Sequence, residues 1–186
     1  MQLKESLRQK ILEDRKNFNE SEHFLANDVI VKSTQDVLNS FVALNNNKKL
    51  LGVGLYWQML GEPDLLKSAV NSSWKTSIPK VNGVKMDFAP YEIGDTLEPS
   101  EFGNLVQPTA NERVLPNIVI VPALAFSIEG HRLGFGKGHY DQYFAKNENI
   151  VKIGVCFHEN LYEYLPNESH DIKMDYIITD QTTIAL

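Results

Sequence analysis

The sequence predicts a single three-layer α/β/α domain spanning residues 1–186 and built on a mostly parallel sheet. Three observations carry this. Short, continuous apolar runs at 117–122 and 151–157 have the pattern of strands buried on both faces. Such runs alternate along the chain with segments of helical period. Finally, 186 residues, 42% hydrophobic and 23% charged, suit one ordinary globular core, and no repeat, low-complexity tract or linker divides them.

Taken in order, residues 3–18 place Leu3, Leu7, Ile11 and Leu12 about one helical turn apart, which predicts an amphipathic helix. Two further helices are expected at 21–31 and 34–44, the second with Val37, Leu38, Phe41, Val42 and Leu44 on one face. Residues 50–57 read as a buried strand whose glycines, Gly52 and Gly54, permit close packing. Glu62-Pro63 then reads as the start of a helix over 64–70, because proline is tolerated in a first helical turn. Strands at 76–81 and 84–89 flank the turn signal Asn82-Gly83. The proline- and glycine-rich stretch 90–116 shows no period, and a loop of that length commonly contributes to a site. After the strand at 117–122 come a glycine-rich loop, a helix at 140–145, a strand at 151–157, a short helix at 161–165 and a last strand at 176–179.

Composition narrows the function. A net charge of −6 offers no general basic footprint, so a nucleic-acid partner is disfavoured, whereas a local basic pocket for a small anion is not. No apolar stretch approaches the roughly 20 residues needed to cross a bilayer, and the first residues lack a signal-peptide core. The single cysteine, Cys156, lies in an apolar run and reads as a small buried hydrophobe. A cytoplasmic monomer without a membrane partner is the expectation.

The most distinctive stretch is 130–141, Gly-His-Arg-Leu-Gly-Phe-Gly-Lys-Gly-His-Tyr-Asp. Glycines let backbone N–H groups approach a phosphate, Arg132 and Lys137 supply compensating charge, and Asp141 is suited to a metal ion on the same phosphates. The stretch is not a P-loop: His131 stands five before Gly136 where a glycine is required, and Gly138 occupies the Ser/Thr position. It also fails the dinucleotide fingerprint, since His139 takes the place of the third glycine. The competing reading is a glycine-rich turn with a solvated Arg and Lys. Its place after a buried strand, where open α/β sheets bind ligands, favours a phosphate loop. A second carboxylate for a metal would come from His170-Asp171-Ile172-Lys173-Met174-Asp175, although spacing leaves open that these are surface or capping groups.

Pro122-Ala123-Leu124-Ala125-Phe126 followed by Gly130-x-Arg132-Leu133-Gly134-x-Gly136-Lys137-Gly138-x-Tyr140-Asp141 resembles the signature of the 5-formyltetrahydrofolate cyclo-ligase family. Lys4-x-x-Leu7-Arg8, Glu62, Ile78-Pro79-Lys80-Val81 and Leu165-Pro166-x-Glu168-x-His170-Asp171 are similar to further family segments in the same order. The resemblance implies an ATP- and Mg²⁺-dependent enzyme that converts 5-formyltetrahydrofolate to 5,10-methenyltetrahydrofolate, ADP and phosphate. It implies that Lys4, Arg8 and the loop Arg132, Leu133, Gly134, Phe135, Gly136, Lys137, Gly138, His139 and Tyr140 hold ATP. Arg132, Lys137 and Tyr140 would serve catalysis, Asp141 and Asp171 would bind Mg²⁺, and Trp57, Glu62 and Tyr140 would meet the folate. The chain departs from the family pattern at His139, where tyrosine is usual, and at Ser127, where an aspartate is common and would brace the loop. A member retaining only folate or nucleotide binding, or an unrelated small-molecule kinase, are the competing readings.

Overall fold

The computed structural model describes residues 2–44, 50–66, 73–101 and 105–186. Its centre is a seven-stranded sheet formed by β1 (Leu51–Gly54), β2 (Trp74–Asn82), β3 (Lys85–Pro90), β6 (Ile118–Pro122), β9 (Val151–Val155), β11 (Tyr176–Ile178) and β12 (Thr183–Ala185). The order is β12-β11-β9-β6-β1-β2-β3. The five inner strands pair in parallel, and the two edges, β3 and β12, are antiparallel additions. This is the expected mostly parallel sheet in an α/β chain.

Burial on both faces explains why β6 is apolar at successive positions. Ile118 and Ile120 pack on one side with Ile30 and Leu38 of helix α2 (Glu20–Leu44), whereas Val119 and Val121 pack on the other with Tyr143 and Phe144 of helix α3 (His139–Lys146). A strand covered on both faces has no solvent side on which to alternate. Close packing also explains Gly54: a Cβ there would lie 2.6 Å from Cε1 of the fully buried Phe88. Gly54→Ala is expected to lower the unfolding free energy by about 1–3 kcal/mol, read from urea unfolding. An unchanged midpoint would mean that Phe88 gives way without cost.

Several elements differ from the sequence expectation. The helices expected at 21–31 and 34–44 are one continuous helix that runs through Lys32 and Ser33, with Ile30, Thr34 and Leu38 buried along a single face across the expected break. Helix α1 (Gln2–Arg15) ends before Phe18, and Leu3 and Leu12 are exposed. Its buried face carries Lys4, Ile11 and Arg15, for a reason the site supplies. Within 90–116 lies a two-stranded ribbon, β4 (Leu97–Pro99) with β5 (Val106–Pro108). The expected helix at 161–165 is instead a 3₁₀ turn at His158–Asn160 followed by β10 (Leu161–Tyr162), which pairs with β7 (Ala125–Ser127). β7 also pairs with β8 (Arg132–Leu133), so the start of the glycine stretch belongs to a small three-stranded sheet. The helix expected at 64–70 does not start there, since Asp64 and Leu65 are not helical, and residues 67–70 lie outside the described residues. Among the described residues, no helix is long and apolar enough to cross a membrane.

Candidate active site

A cavity of about 660 Å³ opens beyond the carboxyl ends of β1 and β6. From β1 the chain moves to β2 on one side and later returns to β6 on the other, so this is the point where the strand order reverses. Open α/β sheets leave a crevice there, because the two connections run to opposite sides. Every residue the sequence singled out for a site lines this one cavity. Tyr56, Trp57 and Glu62 follow β1; Arg132 to Asp141 follow the small sheet; Asp171 enters from the late segment; and Lys4 and Arg8 reach in from α1.

The glycine stretch turns sharply where its residues permit it. Gly136 has φ 90° and Gly138 φ 68°, in the left-handed region that favours glycine. Gly138 sits at the N-terminal cap of α3, so residues at a helix start line the cavity. Ser127 replaces the expected brace with a shorter one: its buried hydroxyl oxygen accepts the His131 N–H at 3.2 Å. Nε2 of His139 lies 3.3 Å from the Gly83 carbonyl oxygen, linking the loop to the β2–β3 turn.

Most cations of the cavity already have partners. Lys4 Nζ donates to Asp171 Oδ2 at 2.6 Å and to Glu168 Oε2 at 3.4 Å. Arg132 Nη2 donates to Asp141 Oδ1 at 2.7 Å and its guanidinium lies 5.7 Å from the Tyr140 ring centroid. Arg8 Nε donates to the Gly134 carbonyl at 2.9 Å, and its Nη1 to Glu5. Lys137 is exposed, and among the described residues no ion pair holds it. Burial opposes ionisation of Asp171, but Lys4 and the Glu168 N–H outweigh it and hold the carboxyl below its usual range.

The donor set fits a hard divalent ion. The Asp141 carboxylate also accepts the Ile172 N–H at 3.2 Å, which brings it beside the segment that carries Asp171. Among the described residues, the ligand atoms that gather within 4.8 Å of one another are those of Glu168, His170 and Asp171, so of the two expected metal ligands Asp171 belongs to the group and Asp141 does not. Carboxylate oxygens suit Mg²⁺ better than the His170 imidazole does.

The far end of the cavity is different in character. Glu62 is 2% exposed; Oε2 accepts the Met59 N–H at 3.0 Å, while Oε1 has no hydrogen-bond partner among the described residues. Burial pushes its carboxyl up to about 7, against the pull of the Met59 N–H and of Arg15. Beside it are the Tyr140 phenol, raised well above its ordinary value by burial and then by Glu62, and Trp57, whose ring meets Tyr91 edge-on at 6.5 Å. A buried carboxylate with an unused oxygen has an acceptor to offer an N–H donor.

Comparison with known proteins agrees with this architecture. The sequence model of the 5-formyltetrahydrofolate cyclo-ligase family matches residues 1–180. The chain belongs to this family. Among cyclo-ligase family relatives, it is 26% identical over 184 residues to a protein of Schizosaccharomyces pombe named a probable 5-formyltetrahydrofolate cyclo-ligase, covering 86% of this chain and 90% of that one. The NMR structure of Aquifex aeolicus 5,10-methenyltetrahydrofolate synthetase is 31% identical and superposes with a TM-score of 0.80, over 98% of this chain and 92% of that chain. A 5,10-methenyltetrahydrofolate synthetase from Mycoplasma pneumoniae, at 20% identity and a TM-score of 0.70 over 95% and 98% of the two chains, shares the fold.

Three features of this cyclo-ligase-family site have no counterpart in the sequence reading. Arg15 lies 3.8 Å from the Glu62 carboxylate and is buried with it. Tyr56, behind Glu62, donates its hydroxyl hydrogen to the Pro63 carbonyl at 2.5 Å. The ribbon residues Leu105, Val106 and Gln107 close one side of the cavity. A basic residue in the last turn of a helix is the only signal the sequence holds for Arg15, and the helix dipole accounts for that equally well.

Proposed function

We propose that the chain converts 5-formyltetrahydrofolate to 5,10-methenyltetrahydrofolate with consumption of ATP, and that Lys4, Arg8, Glu62, Trp57, the 132–140 loop, Asp141 and Asp171 carry the reaction. The observation that carries this reading is the polarity of the cavity, with a glycine loop and cations at one end and a buried carboxylate among aromatic rings at the other. Family membership supports it.

The chemistry requires both ends. The formyl group on N5 is an amide, and its oxygen is a poor leaving group. Transfer of the γ-phosphoryl of ATP to that oxygen releases ADP and makes it a phosphate ester; N10 then attacks the formyl carbon and gives its proton to the departing phosphate, which leaves with the C–O bond electrons. Arg132 and Lys137, with the loop N–H groups, neutralise charge that spreads over the transferred phosphoryl. Glu62 accepts pterin N–H donors and holds the formyl group toward the loop, so that transfer and ring closure occur between bound partners. Tyr140, whose ring centroid lies 5.7 Å from the Arg132 guanidinium, would meet the formyl group. Asp141 and Asp171 would hold Mg²⁺, which supplies charge neutralisation at the phosphates.

The test mixes the protein with 5-formyltetrahydrofolate and ATP, with and without Mg²⁺. The expected result is Mg²⁺-dependent growth of the near-ultraviolet absorbance of the methenyl product, matched by ADP. Binding of both ligands without an absorbance change would make the chain a binding protein, and a stable phosphorylated product would make it a kinase.

A further inference from the structure

Arg15 is the last residue of α1, one turn beyond Ile11 on the face that carries Lys4, and it is buried beside Glu62 without being among the residues that line the cavity. Its side chain is 8% exposed and sits among backbone carbonyls: Nη2 donates to Ala123 O at 2.8 Å and approaches Leu124 O at 3.4 Å, and Nη1 donates to Leu60 O at 3.3 Å. The same Nη1 lies 3.8 Å from Glu62 Oε1, the oxygen without a hydrogen-bond partner among the described residues. The chain bends tightly against it, since a Cβ at Gly61 would lie 2.9 Å from Arg15 Cγ and Cδ. Arg15 therefore joins three segments: α1, the bend leading to Glu62, and the stretch after β6.

We propose that Arg15 is a positioning residue for the folate end of the site, holding the Glu62 carboxylate ionised and turned into the cavity without occupying the oxygen that the ligand needs. The inference rests on the reading of Glu62 as the folate receptor. A closer, bidentate pair would use both carboxylate oxygens internally. At 3.8 Å the guanidinium contributes charge while its hydrogen bonds go to carbonyls, so Oε1 keeps its capacity for a ligand donor. The other groups facing Glu62 are the Tyr56 and Tyr140 phenols, which burial keeps protonated and which supply no positive charge. Arg15 is the cation that opposes protonation of Glu62.

The experiment measures 5-formyltetrahydrofolate affinity against pH by quenching of tryptophan fluorescence. In the unaltered protein, affinity is expected to fall as the pH drops through about 7. Arg15→Gln is expected to move that midpoint up by at least about one unit, weakening binding roughly tenfold at neutral pH and recovering at alkaline pH. Arg15→Lys, which keeps a charge, returns the midpoint toward the original. Nucleotide affinity stays unchanged in both. An equal loss at every pH, or an unmoved midpoint, would overturn the proposal, since a purely structural role gives that result.

Should Arg15→Gln not fold, the pair Glu62→Gln and Arg15→Gln/Glu62→Gln decides, because the double variant leaves no unpaired buried charge. The two are expected to bind folate within about twofold of each other; a further loss in the double variant overturns the proposal. Titration of the Glu62 carboxyl by ¹³C NMR in the ligand-free protein separates this inference from the proposed function. If folate does not bind but the Glu62 midpoint still moves in Arg15→Gln, the functional reading fails and the electrostatic link stands.

Discussion

Lys137→Ala is expected to reduce turnover by about 10²–10³-fold while leaving 5-formyltetrahydrofolate affinity within about twofold. The reason lies in the pairing of the cavity's charges. Lys4 and Arg132 hold carboxylates, and Arg8 holds a loop carbonyl and Glu5, whereas Lys137 stands exposed on the loop with no ion pair among the described residues. An unpaired ammonium on a phosphate loop gains its partner only when the anion arrives, so its removal is felt in phosphoryl transfer and not in folding. Its exposure limits the stability change to about 0.5 kcal/mol. Steady-state kinetics together with a thermal unfolding curve check both parts, and unaltered turnover would sink the reading of 130–141 as a phosphate loop.

Glu62→Gln acts on the opposite end. Substrate affinity is expected to fall by a factor of about 10–100, because a carboxylate that accepts ligand N–H donors is replaced by a neutral amide with one acceptor. Nucleotide affinity should hold. The variant also has a signature in folding. Glu62 has its carboxyl raised from 4.5 to about 7 in the folded chain, so between those values the folded protein keeps a proton that the unfolded chain releases. Stability from this group is present below the lower value and is lost as pH rises through the window. Glu62→Gln removes that slope, and urea unfolding at several pH values measures it. A slope that persists would assign the titration to another group.

The parallel sheet was legible because β6 and β9 depend on composition alone: a strand buried on both faces is apolar throughout, wherever its neighbours come from. The glycine loop was legible because its residues have few other uses in such density. Where the reading failed, the deciding partner was distant in sequence. Leu161-Tyr162 reads as helix within five residues, yet pairs with β7 some 35 positions earlier. Helix α1 departs in a different way: Leu7 and Ile11 turn inward as expected, but Lys4 is buried on the same side against the cavity and Arg15 against backbone carbonyls, while Leu3 is 67% exposed. The break expected at Lys32-Ser33 is absent because Ile30, Thr34 and Leu38 on either side of it pack as one buried face, and tertiary packing overrides local propensity. Residues that line the cavity were nameable, but their pairings were not, since Lys4 meets Asp171 across 167 positions and Arg15 meets Glu62 only through the fold.

The pairings Lys4–Asp171 and Arg132–Asp141 have a consequence for how ligands enter. Each couples a residue proposed for the nucleotide with one proposed for the metal. Binding on that reading is an exchange of partners: a polyanion draws the two cations away, and a divalent ion takes the carboxylates they release. Neither newcomer alone leaves both halves of a broken pair satisfied. Nucleotide and metal are therefore expected to enter as one unit, with the apparent affinity for either governed by the concentration of the other.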